Sequence, residues 1–152
     1  MKYLLVIAAL TPLSLQAADS VDAQIGLSLG TPGAVNLVIK NEVFGQPMQL
    51  AVGYVGTAYG AEAGYSFYYN SESAMRSWQV TVGTFRAKEE KRVVVRDASG
   101  TRWWYEDETW SYLGVSGTFQ YGGFFLEPGI SAGTGDFSNP QLTLQAGWLW
   151  SL

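Results

Sequence analysis

What most constrains this chain is a period of two that runs from residue 21 to the last residue. Apolar and small polar residues alternate along it, and no stretch carries the 3.6-residue period of a convincing amphipathic helix. Alternation of this kind is the pattern of a β-strand with one apolar face. It is clearest in "QLTLQAGWLWSL", where Leu142, Leu144, Ala146, Trp148, Trp150 and Leu152 face away from Gln141, Thr143, Gln145, Gly147 and Ser151. What that face is buried against, protein or lipid, decides what the molecule is.

The same parity divides the rest of the chain. Ile25, Leu27 and Leu29 oppose Gln24, Gly26 and Ser28, and Val35, Leu37, Ile39 and Val43 oppose Asn36, Lys40 and Glu42. Met48, Leu50, Val52 and Tyr54 oppose Gln49, Ala51 and Gly53, and Ala63, Tyr65, Phe67 and Tyr69 oppose Glu62, Gly64, Ser66 and Tyr68. Trp78, Val80 and Val82 oppose Gln79, Thr81 and Gly83. Leu113, Val115, Phe119 and Tyr121 oppose Tyr112, Ser116, Thr118 and Gln120, and Leu126, Ile130 and Ala132 oppose Glu127, Gly129 and Ser131. The turns are "TPG", "FGQP", "GTAYG", "SESAM", "ASG", "GG" and "TGDFSNP". Strands joined in order by short turns predict an up-and-down antiparallel sheet, and the count reaches eight, the smallest common number for a closed barrel. Pro128 sits inside the seventh strand, where a closed barrel has no free edge to excuse a missing N–H. A bulge there, or a strand that begins at Gly129, is expected.

Alternation does not say which face is outside. A soluble barrel exposing its second face would carry Lys, Glu, Asp and Arg along it. Instead that face is Gly, Ser, Thr, Gln and Asn, with Lys40, Glu42, Glu62 and Glu127 as its charges. Small neutral polar groups suit a narrow lumen, and the continuous aromatic face suits lipid. Tyr69, Trp78, Phe119, Tyr121, Phe124, Trp148 and Trp150 lie near strand ends, as residues of a membrane–water girdle do. A ten-residue strand tilted by about 45° rises roughly 23 Å, the height of an outer-membrane apolar band.

The N-terminus agrees. Lys2, the apolar "YLLVIAAL" and "TPLSLQAA" have the order of a secretory signal peptide over residues 1–18, cleaved after Ala17 or Ala18. Residues 19–152 then suit a single domain. The chain has no Cys and no His, which removes disulfides, His-containing triads and most zinc sites. A net charge of -4 argues against nucleic acid as a partner.

On these features the chain resembles the small eight-stranded outer-membrane barrels of the OmpA/OmpX type, over all of residues 19–152, as architecture rather than close sequence identity. In such barrels the last strand ends in a polar residue, an apolar one, Gly, two variable residues, then apolar-any-apolar. Here Gln145, Ala146, Gly147, Trp148, Leu149, Trp150, Ser151 and Leu152 keep that order, with Leu152 where Phe is usual. The resemblance implies a transmembrane barrel in the outer membrane of a Gram-negative bacterium, with both termini periplasmic. It also implies that Gly147, Trp148, Trp150 and Leu152 are read by the barrel-insertion machinery, and that lipid and lipopolysaccharide surround the wall. No cofactor is implied. Barrel enzymes of this membrane that resemble lipid A deacylases or palmitoyl transferases rely on His with Ser, so no enzymatic activity is expected here.

Two groups of residues stand out as candidate sites. Lys40, Glu42 and Glu127 point into one half of the lumen and predict a salt-bridged plug, with an ion pathway as the alternative. Of the 22 charged residues, 12 lie between Arg86 and Glu108. There "KRVVVRD", "ASG" and "TRWWYED" predict a long hairpin bearing Arg92, Arg96, Arg102, Trp103 and Trp104, residue types enriched at binding hot spots. The expectation is a structural or surface-interaction barrel whose hairpin meets an extracellular partner. A narrow solute channel is the first alternative, and a soluble periplasmic carrier of an apolar ligand the second.

Overall fold

The computed structural model describes residues 22–98 and 100–152, the side chain of Glu90 excepted, so the expected leader over residues 1–18 lies outside the described residues. The strands are β1 (Gln24–Gly30), β2 (Ala34–Val43), β3 (Gln46–Val55), β4 (Ala58–Tyr69), β5 (Met75–Asp97), β6 (Gly100–Tyr121), β7 (Phe124–Gly135) and β8 (Gln141–Ser151). Each pairs antiparallel with the next, and β8 returns to β1 to close an eight-stranded barrel. Closure runs from Gln24↔Ser151 through Leu27↔Trp148 to Gly30↔Gln145. The expected all-β, eight-stranded up-and-down barrel is the observed architecture.

One end of the barrel is trimmed. There β2 meets β3 through Phe44 and Gly45, both with positive φ (55° and 74°), the backbone of the tightest hairpins. Gly122, also left-handed at 58°, turns β6 into β7 at the same end. The opposite end is drawn out. β5 has 23 residues and β6 has 22, and both outrun their other neighbours. β4 stops pairing with β5 at Ala58↔Ala87, and β7 stops pairing with β6 at Trp110↔Gly135. Beyond those points β5 and β6 pair with each other alone, from Lys91↔Glu106 to Asp97↔Gly100, after a register shift between Ala87 and Lys91.

The two faces are inverted relative to a soluble domain. Buried inside lie Ser28, Asn36, Gln49, Glu62, Ser66, Gln79, Thr81, Ser116, Thr118, Glu127 and Gln145, with a small apolar cluster of Val38, Ala51, Phe125 and Leu149. Outside, Leu29, Leu50, Val82, Leu113, Ile130 and Leu144 are all exposed, at 48 to 66 %. Large and small residues are matched across the lumen: a Cβ on Gly83 would overlap the ring of Tyr112, its cross-strand partner.

Two local expectations need correction. Tyr68 faces outward, not into the lumen, because a bulge between Ser66 and Tyr68 shifts the register with β5 and sets Tyr68 opposite Trp78. Parity is lost at any such extra residue. Pro128 causes neither a bulge nor a late start. β7 runs straight through it, paired with Leu144. The β6–β7 ladder passes from Ser116↔Gly129 to Phe119↔Leu126 in unchanged register and omits the pairings between. A residue without an N–H costs two pairings of this ladder and leaves the strand intact.

Because β8 closes on β1, deleting residues 150–152 removes the pairings Trp150↔Ile25 and Ser151↔Gln24. The truncated protein is expected to lose the shift in gel mobility between unheated and boiled samples that a closed barrel gives. An undiminished shift would show that closure does not need these pairs.

Candidate functional site

The lumen is organised around one carboxylate. Glu127, on β7, accepts from Thr118 at 3.0 Å and from Lys40 Nζ at 3.4 Å through Oε2. Its Oε1 accepts from Ser116 at 3.1 Å, from Gln49 at 3.3 Å and from Gln79. Donors thus converge from β2, β3, β5 and β6. Gln49 Nε2 also reaches Gln145 Oε1 on β8 at 3.4 Å, and Lys40 Nζ lies 5.0 Å from the centroid of the Phe125 ring. Alternation makes this convergence possible, since every second residue of each strand must point inward, and a closed wall makes those vectors meet.

Of the expected cluster, Lys40 and Glu127 meet as an ion pair, with Lys40 12 % and Glu127 3 % exposed at the side chain. Glu42 does not join it. Two residues nearer the β2–β3 turn, it is only half-buried and forms no ion pair among the described residues. The second lumen carboxylate is instead Glu62, which accepts a 2.6 Å hydrogen bond from Tyr112. Higher still, Asn36 donates to Ser28, Gly30 and Thr31 and accepts from the N–H of Gly33, which ties down the β1–β2 turn. Gln49, Gln79, Glu62 and Asn36 were readable only as inward polar residues, because their partners lie on strands distant in sequence. The voids beside the network measure about 20 and 10 Å³, room for a water molecule or less.

The second candidate is the ribbon formed by β5 and β6 above Ala87 and Trp110. Its pairing puts Arg92, Val94, Arg96, Trp103 and Tyr105 on one face and Val93, Val95, Arg102 and Trp104 on the other. Trp103 and Trp104 are therefore not one patch. On the first face the Arg92 guanidinium lies 5.5 Å from the Trp103 ring centroid, and Tyr105 meets Trp103 edge-on at 6.0 Å. On the second, Trp104 donates its indole N–H to Glu106 at 2.7 Å. Trp103 and Trp104 are both well exposed, at 58 and 42 %.

The base of the ribbon is clamped. Arg86 pairs with Asp107 at 2.6 Å, and Lys91 pairs with Asp136 of the β7–β8 loop at 2.5 Å. Asp107 also accepts from the N–H of Glu89, and Asp136 from that of Thr109. These bonds hold both carboxyls below their ordinary range, the Arg86 and Lys91 hydrogen bonds contributing most. With folded values depressed, whatever the clamp adds is present above the unfolded carboxylate range near 4, and it is lost as pH falls through the folded values.

At the C-terminal segment, Trp148 and Trp150 face outward and Gly147 packs against the backbone of Leu27 and Ser28, where a Cβ would clash. Leu152, largely exposed, donates its N–H to Ala23 at 2.9 Å. No protein-family model, curated protein or solved structure matches the chain.

Removing one member of a buried ion pair strands the other. Glu127→Ala is expected to destabilise the barrel by about 3–5 kcal/mol, and replacing Lys40 and Glu127 together by Met and Leu to recover most of that loss. Equilibrium urea titration of the folded barrel measures both. Equal stability of Glu127→Ala and the parent would remove Glu127 from its central position.

Proposed function

We propose that the chain is a non-enzymatic integral outer-membrane β-barrel that holds the β5–β6 ribbon outside the cell as a binding surface for a protein partner. The observation that carries this reading is the inversion of the two faces. A belt of Leu, Val, Ile and aromatic side chains covers the outside of a closed wall, while Gln, Ser, Thr and Glu are buried within and Lys40 nearly so. Monomeric soluble proteins rarely expose contiguous apolar surface beyond a few hundred Å². In hydrocarbon the same arrangement is favourable, because closure pairs the backbone donors and acceptors along the wall, the short gap between β1 and β8 above Leu144 excepted.

The aromatic residues support the reading. Outward Tyr68, Trp78, Phe119, Tyr121, Phe124, Trp148 and Trp150 ring the trimmed end, and the cross-strand pair Tyr54↔Tyr59 lies toward the other. Tyr59 and Tyr68 share β4; at about 3.3 Å per residue and a tilt near 45° they stand roughly 21 Å apart along the axis, close to the height of an outer-membrane apolar band. Short turns at one end and a long excursion at the other match the periplasmic and extracellular ends of such barrels, and the leader-like sequence over residues 1–18 fits export.

The lumen favours a plugged wall over the channel alternative, since Lys40 pairs with Glu127, Tyr112 donates to Glu62 and the voids beside the Glu127 network are water-sized. Around Glu127 the interior is polar and filled, so among the described residues the carrier alternative finds no apolar chamber at the barrel's centre. Neither Glu127 nor Glu62 stands free for acid–base work, as each already accepts hydrogen bonds from its neighbours. The ribbon, in contrast, keeps two open strand edges beyond Ala87 and Trp110, and exposed edges accept a partner strand. Arg92 and Trp103, on one face of the ribbon, are of the types that dominate binding energetics.

An epitope tag inserted after Ala98, in the ribbon turn, is expected to be stained on intact, unpermeabilised cells, with the protein in the outer-membrane fraction. Staining that needs the outer membrane to be breached would invert the barrel or place it in the periplasm, and the surface-binding role would fall with it.

A further inference from the structure

Near the ribbon end the barrel wall is incomplete. β1 ends at Gly30 and pairs with β8 only as far as Gln145, whereas β8 begins at Gln141 and pairs with β7 from Ser131↔Gln141 onward. Residues 141–143 therefore have no ladder partner on the β1 side, where the chain turns away through Thr31 and Pro32. The N–H of Thr31 still reaches Leu144 O at 3.1 Å, and above that bond the wall has a notch.

Behind the notch lies a cavity of about 210 Å³, far larger than the voids around Glu127. Its inner wall is aromatic. Phe85 and Phe137 meet edge-on at 5.8 Å, Trp110 and Phe137 lie 5.9 Å apart, and Tyr112 stacks on Trp110 at 4.6 Å. Pro32 and Leu142 line it beside the notch, and Leu142 is 85 % exposed on the outward apolar face. The cavity is therefore continuous with that face, at the level where the wall opens. Its volume exceeds the roughly 150 Å³ that suffices for benzene in an apolar protein cavity. It suits a segment of chain and not a whole lipid.

One polar group there is unsatisfied. Trp110 is 6 % exposed, and its indole N–H is buried with no acceptor among the described residues. A buried donor without a partner is uncommon in native proteins and calls for an explanation. The Nε1 atom itself has no surface open to the cavity, so the aromatic wall, and not this donor, sets what the cavity can hold.

We propose that this cavity is a lateral binding site for a hydrocarbon chain, that of a fatty acid or the acyl chain of a membrane lipid, which enters between β1 and β8. The site rests on the outer-membrane reading above, because the notch must open onto hydrocarbon for such a chain to find it. It takes no part in the ribbon's surface and needs no change in the Glu127 network.

The test uses the full barrel in phosphatidylcholine vesicles with two photoreactive probes. One is a long-chain fatty acid carrying a diazirine, and the other is a phosphatidylcholine with the same group on one acyl chain. Crosslinks are mapped by mass spectrometry in the parent and in Phe137→Ala, a loop substitution that removes part of the inner wall while the mobility shift on heating verifies the fold. Crosslinks at Phe85, Trp110 or Phe137 that fall several-fold in Phe137→Ala support the site, and the probe that gives them identifies free acid or lipid chain as the source. Crosslinks confined to outward residues such as Val82 and Leu113, with none in the cavity, overturn the site and leave the membrane reading standing. An undiminished cavity signal in Phe137→Ala also overturns it. Absence of crosslinks at both sets of residues overturns the membrane reading and the site together.

Discussion

The Glu127 carboxylate is the contact on which the rest of this barrel depends. A charge so nearly excluded from water is tolerable only if its lone pairs are filled, and here they are filled from β2, β3, β5 and β6 at once. The five donors are inward residues of four different staves, Ser116 and Thr118 sharing β6, so the carboxylate fixes the staves' relative heights as well as their spacing. Lys40 supplies the compensating charge. Side chains large enough to reach the centre are accommodated because others are small, as Gly83 is beneath Tyr112.

A polar interior of this kind settles where the apolar residues must go. With the lumen filled by hydrogen-bonded side chains, the alternating Leu, Val, Ile and aromatic residues can only face out. In water that surface would drive aggregation, whereas a bilayer of matching thickness makes it the stable arrangement. The ribbon is then a matter of continuity. β5 and β6 keep their pairing after β4 and β7 end, and their composition changes from apolar and neutral to heavily charged where the wall stops. Ion pairs from Arg86 and Lys91 to Asp107 and Asp136 brace its base against the β7–β8 loop.

Much of this was legible in the sequence, because closure and alternation are local rules repeated along the chain. Parity assigned Leu27, Val80, Val115 and Trp148 to the outside, and Gln79, Thr118 and Glu127 to the inside. It failed at Tyr68, where one extra residue in β4 resets the count, and no local composition announces that bulge. It also could not choose among carboxylates. Glu42 and Glu62 are both inward, but only Glu62 faces a donor, Tyr112, and that meeting depends on register across strands far apart in the chain. The same limit separates Trp103 from Trp104. They are adjacent in sequence and sit on opposite faces of the ribbon. The aromatic cavity behind the β1–β8 notch was invisible for a further reason: it exists because β1 is shorter than β8, and strand ends are where periodicity carries least information.

The claim that the outward face meets lipid can be measured residue by residue. The chain has no cysteine, so a single Cys placed at Val80, Val115, Ile130 or Ala98 takes a nitroxide label without competition. Power-saturation spectroscopy of the barrel in vesicles then compares collisions with oxygen, which concentrates in hydrocarbon, against those with a water-soluble nickel chelate. Labels at Val80, Val115 and Ile130 are expected to meet oxygen and to be shielded from nickel, while the label at Ala98 shows the reverse. A label at Val80 as open to nickel as one at Ala98 would place the apolar belt in water and contradict the account.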